Sequence, residues 1–393
     1  MSKISVDRQF SLDSNSPEPP NQLNIIEKKN GQEIRYDYEF RSRPLNILAA
    51  RYESRPIAND RYEYVNRLYQ EIENRWRNTQ DVDLFLDELR AFGGQLFDQL
   101  FPEELQRILW DCRSDISSIM VVSTEPFIPW ELVHLKPPGQ SQLPEETKFL
   151  GQMGLVRWIY DAGWPAETIQ IRNERAYSVI PEYPHAHYKL SHTAGEKTFL
   201  SERFQAISIE PQPKALLELI KAGQFDLLHF AGHGIHDLQS MTTANLMLEG
   251  HLTGAHYIKR FFSSTLIEQF FTLKDNDNRP LVVLNACQAG QSSHTLMGMS
   301  GFAQAFLKGG AGAFVGPLWS VGDRPARTFI ESFYVKLLNG LSLSEATNFA
   351  RSSAREGGDA TWLAYAVYGH PFLKLESNFY IGNEQSQDYT VDA

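Results

Sequence analysis

Two rhythms of apolar positions follow one another along the chain. Residues 1–42 are rich in Ser, Asn, Glu and Lys with few aliphatic clusters, which predicts a polar, flexible arm that adds at most a marginal strand. Residues 45–50 read as a buried strand, and a 3.6-residue apolar period then predicts helices at 62–76, 82–100 and 103–110. Strand character returns at 116–122. Pro126, Pro129, Pro137, Pro138 and Pro144 break up the following stretch, and 149–160 is apolar again before a polar turn, so a boundary is expected near 165–175.

Beyond that boundary the rhythm is regular. Short apolar runs at 176–180, 206–209, 225–230, 281–286 and 312–316 alternate with helical segments, the pattern of an α/β fold with a mostly parallel sheet flanked by helices. Phe329, Ile330, Phe333, Tyr334, Leu337 and Leu338 form one stripe of a helix over 324–338, and a second helix is predicted over 343–356. The organisation expected is an arm at 1–42, an upstream α/β half at 43–172, a larger domain at 173–377 and a flexible tail at 378–393.

Composition narrows the function classes. At 393 residues and 42% hydrophobic content the chain can bury at least one full core. Its 37 Lys and Arg against 48 Asp and Glu give a charge of -11, which argues against direct nucleic-acid binding or a basic membrane-surface helix. Cys112 and Cys287 are the only cysteines, too few for a disulfide framework or a thiolate zinc cage, so a reducing cytoplasm is expected. No apolar run approaches the length of a membrane span and the first twenty residues are polar, so neither a span nor a signal peptide is expected.

The chemistry concentrates at two strand ends, FDLLHFAGHG at 225–234 and LVVLNACQAG at 281–290. Each is an apolar run that stops at a small residue and then presents a reactive one, and in an open parallel sheet functional residues lie just past the carboxyl ends of strands. A cysteine thiolate is a strong nucleophile, and an imidazole in reach can take its proton and later protonate a leaving amine. His233 and Cys287 are thereby candidates for acyl transfer, with the amides of Gly234 and Cys287 as an oxyanion hole. Taken singly, each reads equally well as a packed core residue. Taken together, their order and their separation of about 54 residues match the caspase-like arrangement of histidine first and nucleophile about 50 residues later. His229, on the strand itself, reads as a core buttress.

LLHFAGHG, LVVLNACQAG, GGAGAFVGPLWSVGD and WLAYAVYGHP, spread over 176–375, resemble the successive motifs of CHAT-domain proteins, a prokaryotic branch of the caspase and separase clan of cysteine peptidases. Upstream, LFDQLFPEELQRIL at 96–109 and FIPWELVH at 127–134 resemble segments that precede many CHAT cores. The resemblance implies a caspase-like catalytic domain at 173–377 and a degenerate, inactive caspase-like half before it. It implies His233 as general base and acid, Cys287 as nucleophile and Gly234 as an oxyanion donor. Asn285 stands where caspases carry Gln, and Ala289 where they carry Gly, with Gly290 one place later, which removes the ground for expecting cleavage after aspartate. The resemblance further implies a protein substrate, a regulatory protein partner and a bacterial defence or cell-death setting. In separase-like relatives an acidic residue resembling Asp323 faces a basic substrate side chain; Asp323 also reads as a helix cap. Trp319 follows a strand end and is a candidate for a substrate wall.

Competing motifs fail on context. GAGAFVG at 310–316 enters a strand instead of leaving one for a helix, so no dinucleotide cofactor is expected. GMSG at 298–301 lacks the spacing of a serine nucleophile elbow. Gly232 and Gly234 disfavour a helix carrying His229 and His233 as zinc ligands, so no metal is expected. The leading expectation is a cysteine endopeptidase; the alternatives are a catalytically silent interaction scaffold and a non-peptidase acyl hydrolase. The connection after Cys287, about a dozen residues, is too short for a processing linker, so activation by a partner is expected.

Overall fold

The computed structural model describes residues 19–377 except 32, 58–59, 79–80, 141–146, 237–243, 254–255, 274–277, 288–297, 320 and 357–361. The elements run β1 (Asn21–Asn30), β2 (Glu33–Ser42), β3 (Ile47–Glu53), α1 (Arg61–Asn78), α2 (Val82–Leu100), α3 (Glu103–Asp111), β4 (Ile119–Ser123), β5 (Leu155–Ile159) and β6 (Thr168–Ile171). They continue with β7 (Ala176–Val179), α4 (Thr193–Phe204), β8 (Ile207–Ser208), α5 (Pro213–Ala222), β9 (Leu227–His236), β10 (Ala244–Thr253), β11 (His256–Ser263), α6 (Ser264–Phe270) and β12 (Leu281–Cys287). Last come α7 (Gly298–Gly309), β13 (Ala313–Pro317), α8 (Asp323–Leu338), α9 (Leu343–Glu356), β14 (Tyr365–Tyr368) and β15 (Lys374–Ser377).

One mixed sheet, with parallel pairs in the majority, runs through both halves in the order β11-β10-β9-β12-β13-β14-β5-β4-β1-β2-β3, with β7 and β8 branching from β9. The expected mostly parallel α/β core is therefore present, and β14 carries it across the expected division by pairing with β5. Helices cover both faces. Leu228 and Phe230 of β9 pack with Leu216, Ile267 and Phe302 of α5, α6 and α7 around a small apolar cavity, whereas His229 between them meets Tyr334 of α8 and Glu196 of α4 on the opposite face. The two-residue period of a strand produces this division.

Residues 19–42, expected to belong to a polar arm, instead form β1 and β2. The reason lies in alternation that a composition reading overlooks: Ile34, Tyr36, Tyr38 and Phe40 are buried while the residues between them are half-exposed. Residues 1–18 and 378–393 lie outside the described residues. The strand expected to be buried at 45–50 is β3, an edge strand with a single partner, and its Leu48 is 91% exposed. In the upstream half Asp81 caps α2 by accepting from the amides of Asp83 and Leu84. The FIPWELVH segment docks against this helix so closely that a Cβ at Gly93 would lie 2.1 Å from the Leu132 carbonyl oxygen.

The two halves are also bolted by charge. Glu131, fully buried, accepts from the Arg157 guanidinium, and Arg351 of α9 approaches the same carboxylate at 3.8 Å. Arg351 donates to the carbonyls of Gly151, Leu155 and Tyr365, and Arg157 to those of Pro126 and Ile128. Burial, helped by the like charge of Arg157, pulls Arg351 down to about 10 against the opposing pull of Glu131, so it stays charged at neutral pH. The Pro126 carbonyl in turn accepts from Ser300, at the start of α7.

Candidate functional site

β9 changes neighbour partway along one edge. Residues Leu227 to Phe230 pair in parallel with β7, and His233 to His236 pair antiparallel with β10. On its other edge β9 stays in register with β12 throughout, so that Cys287, the last residue of β12, stands opposite His233. The two residues singled out in the sequence are thus ladder partners: Cys287 ends β12, whereas His233, expected just past a strand end, lies inside β9, which runs on to His236 by pairing with β10. The side chains of Cys287 and Asp323 lie outside the described residues, as does 288–297.

Tyr183, downstream of β7, fills the gap left by the change of neighbour. Its hydroxyl accepts from the His233 amide at 3.0 Å and donates to the Met247 carbonyl at 2.7 Å, joining the two strands where β7 ends. Burial raises the Tyr183 phenol well above its ordinary value, so it keeps the proton it donates. Gly232 makes room: a Cβ there would stand 2.6 Å from the Tyr183 hydroxyl and 2.7 Å from the Phe230 ring. At Gly234 a Cβ would touch Met299 Cε at 3.0 Å and Ala286 Cβ at 3.3 Å, a tight but softer fit.

The His233 ring is 2% exposed and packs against Tyr183 with centroids 4.6 Å apart. Its Nε2 lies 2.7 Å from the Tyr188 carbonyl oxygen. A carbonyl only accepts, so Nε2 carries the hydrogen, and in the neutral ring Nδ1 is the basic nitrogen. The imidazole is thereby held in one tautomer, as a proton-transferring histidine requires.

Beneath the site lies a polar group of five side chains, of which only His229 was anticipated. Glu196 accepts from the Asn285 amide at 2.9 and 3.1 Å and lies 2.7 Å from His229 Nε2, an ion-pair distance without hydrogen-bond alignment. Tyr334 meets His229 Nδ1 at 2.9 Å, and the Tyr365 hydroxyl donates to Asn285 Oδ1 at 2.7 Å. A single carboxylate from α4 thus ties β9 to β12 just before His233 and Cys287, and α8 and β14 supply the tyrosines that complete the group. His229 is the buttress expected. Tyr334 reads only as one member of an apolar helical stripe and Glu196 as an ordinary helical charge, so nothing local marks either as a partner of the site until the fold brings them under the sheet.

Trp319, a candidate wall residue, is 2% exposed, and its indole N–H has no acceptor among the described residues. The cap position of α8 falls on Gly322, one residue before Asp323, so the cap reading of Asp323 is replaced by a place in the first helical position. Among the described residues no cluster of three metal-binding side chains occurs, and no helix is long and apolar enough to cross a membrane. Cys112 ends α3, with its thiol raised by burial and by Asp115 and Asp111.

Residues 184–372, just under half of the chain, match the CHAT domain. Tetratricopeptide repeat protein 28 of mouse and of human is 34% and 35% identical over 101 residues, 25% of this chain; the chain spans 4% of those much longer proteins. Among solved structures, the separase of Saccharomyces cerevisiae in its complex with securin aligns with 91% of this chain and 30% of its own at 12% identity and a TM-score of 0.49. The complex of Porphyromonas gingivalis RgpB pro- and mature domains aligns with 69% of this chain and 68% of its own at 11% identity and a TM-score of 0.39.

Proposed function

Because this chain carries a CHAT domain over 184–372, we propose that it is a cysteine endopeptidase working through His233 and Cys287. The observation that carries the reading is the β9–β12 register, which sets these two residues opposite one another. In the proposed cycle His233 Nδ1 takes the thiol proton, and the Cys287 sulfur forms a bond to the scissile carbonyl carbon. The amides of Gly234 and Cys287 receive the oxyanion. As the C–N bond breaks, the imidazolium gives its proton to the leaving amine and a thioester remains. Water, deprotonated by the same nitrogen, then attacks the thioester; the acid leaves and the proton returns to sulfur.

In this reading Asp323, opening α8, is the acidic floor of a pocket for Arg or Lys, with Trp319 beside it. Residues 43–172 are a non-catalytic half whose Glu131 and Arg157 support the catalytic one by clustering with its Arg351. The substrate is a protein, activity is switched on by a regulatory protein in a bacterial defence or cell-death pathway of the cytoplasm, and no cofactor takes part.

The test is co-expression of the chain with the products of neighbouring genes, followed by mapping of new protein N-termini. Termini present with the unaltered chain and absent with Cys287→Ala support the endopeptidase. Identical termini in the two samples favour the silent scaffold.

A further inference from the structure

The described part of the sheet ends at β11, which pairs only with β10. Among the described residues its outer edge has no partner strand, and such an edge presents main-chain N–H and C=O groups to an extended guest. Alternation puts Tyr257, Lys259 and Phe261 on one face, while Phe262 points into the core. That face is continuous with the candidate site. The Lys259 ammonium lies 4.7 Å from the centre of the Tyr188 ring, and the Tyr257 ring lies 5.8 Å from it. Tyr188 is itself 6.0 Å from the His233 ring and holds that ring through its carbonyl. His185 stacks on Tyr257 at 6.1 Å. Two strand spacings, about 10 Å, separate β11 from the strand of His233.

Two features set this patch apart from an ordinary sheet edge. Lys259 is exposed, and among the described residues no carboxylate lies within ion-pair distance of it, although the chain as a whole is strongly acidic. Phe261, on the same face as Lys259, is an exposed large apolar residue, 42% accessible. A cation with no carboxylate partner, clustered aromatic rings and a strand edge with no partner strand, all among the described residues, together suit a guest that is extended, acidic and partly apolar.

We propose that β11 docks an extended acidic segment of the protein substrate by adding it as a further strand, with Lys259 facing its carboxylates and Tyr257 and Tyr188 its apolar side chains. The word substrate rests on the endopeptidase reading; the docking itself does not, and the test separates the two by using a chain that cannot cleave.

The experiment is fluorescence anisotropy on the full chain carrying Cys287→Ala, with a fluorescein-labelled ten-residue peptide alternating Glu and Val around a central Tyr. The peptide is expected to bind. Lys259→Glu should weaken it by about tenfold or more, as loss and reversal of an opposing charge does. Methylating alternate backbone amides of the peptide should weaken it as much, and replacing its Glu residues by Lys should abolish binding. Absence of binding, or binding indifferent to both Lys259→Glu and amide methylation, overturns the proposal and leaves Lys259 as a charge that guards a bare edge against self-pairing.

Discussion

The Tyr183 hydroxyl bridges the His233 amide and the Met247 carbonyl at the point where β9 exchanges one neighbour for another. Tyr183→Phe removes this bridge and leaves two buried backbone groups without it, at a cost of about 1–3 kcal/mol each. The variant should unfold at lower denaturant. In an assay of Cys287 reactivity it should also be slower, because the main chain under His233 loses its anchor. A variant that is less stable but equally reactive would limit Tyr183 to a structural part.

Gly232→Ala should be worse than Gly234→Ala. The Cβ at 232 meets a hydroxyl that is already pinned at both ends and an aromatic ring, whereas the Cβ at 234 meets the flexible end of Met299. Overpacking of the first kind costs about 1–3 kcal/mol. Equilibrium unfolding of the two variants side by side checks the order, and equal losses would mean that the Tyr183 ring moves aside freely.

Glu131→Gln should destabilise the whole protein by about 3–5 kcal/mol, since it leaves Arg157 and Arg351 buried without their shared counter-charge. The loss should appear as one cooperative transition, because the cluster joins elements of both halves. Two separated transitions in the variant would show that the halves fold independently once it is gone.

Glu125 gives a pH signature. Its carboxyl is fully buried and accepts from the amides of Phe127 and Ile128 and from the Trp130 indole. Burial outweighs these bonds and raises it from 4.5 to about 7. The folded chain therefore holds a proton that the unfolded chain has lost between those values, so this group's contribution falls as pH rises through that window and is level above it. The fall amounts to about 3 kcal/mol as an upper bound. Subtracting the stability curve of Glu125→Gln from that of the unaltered chain should isolate it; a flat difference would mean that Glu125 is ionised in the fold.

Much of this was legible in the sequence, for identifiable reasons. Val82–Leu100 and Leu343–Glu356 match the expected helices because their apolar stripes are long and their caps local. His233 and Cys287 could be paired in advance because each ends an apolar run, and the ladder register then sets them opposite one another. β1 and β2 were missed because a polar composition masked the alternation of Tyr36, Tyr38 and Phe40. The β10–β11 hairpin was missed because its exposed apolar residues and charges blur the two-residue period. Glu196, Tyr183 and Arg351 act only across large sequence separations, where no local pattern points to them.

The central claim is that His233 takes the proton of Cys287, and it can be tested without knowing any substrate. Cys112→Ser removes the other thiol, so the rate of iodoacetamide alkylation against pH reports Cys287 alone. The profile should inflect well below the value of about 8.5 expected of a free thiol, and His233→Ala should return it there and slow alkylation at pH 7 by about tenfold or more. Superimposable profiles with and without His233 would contradict the dyad.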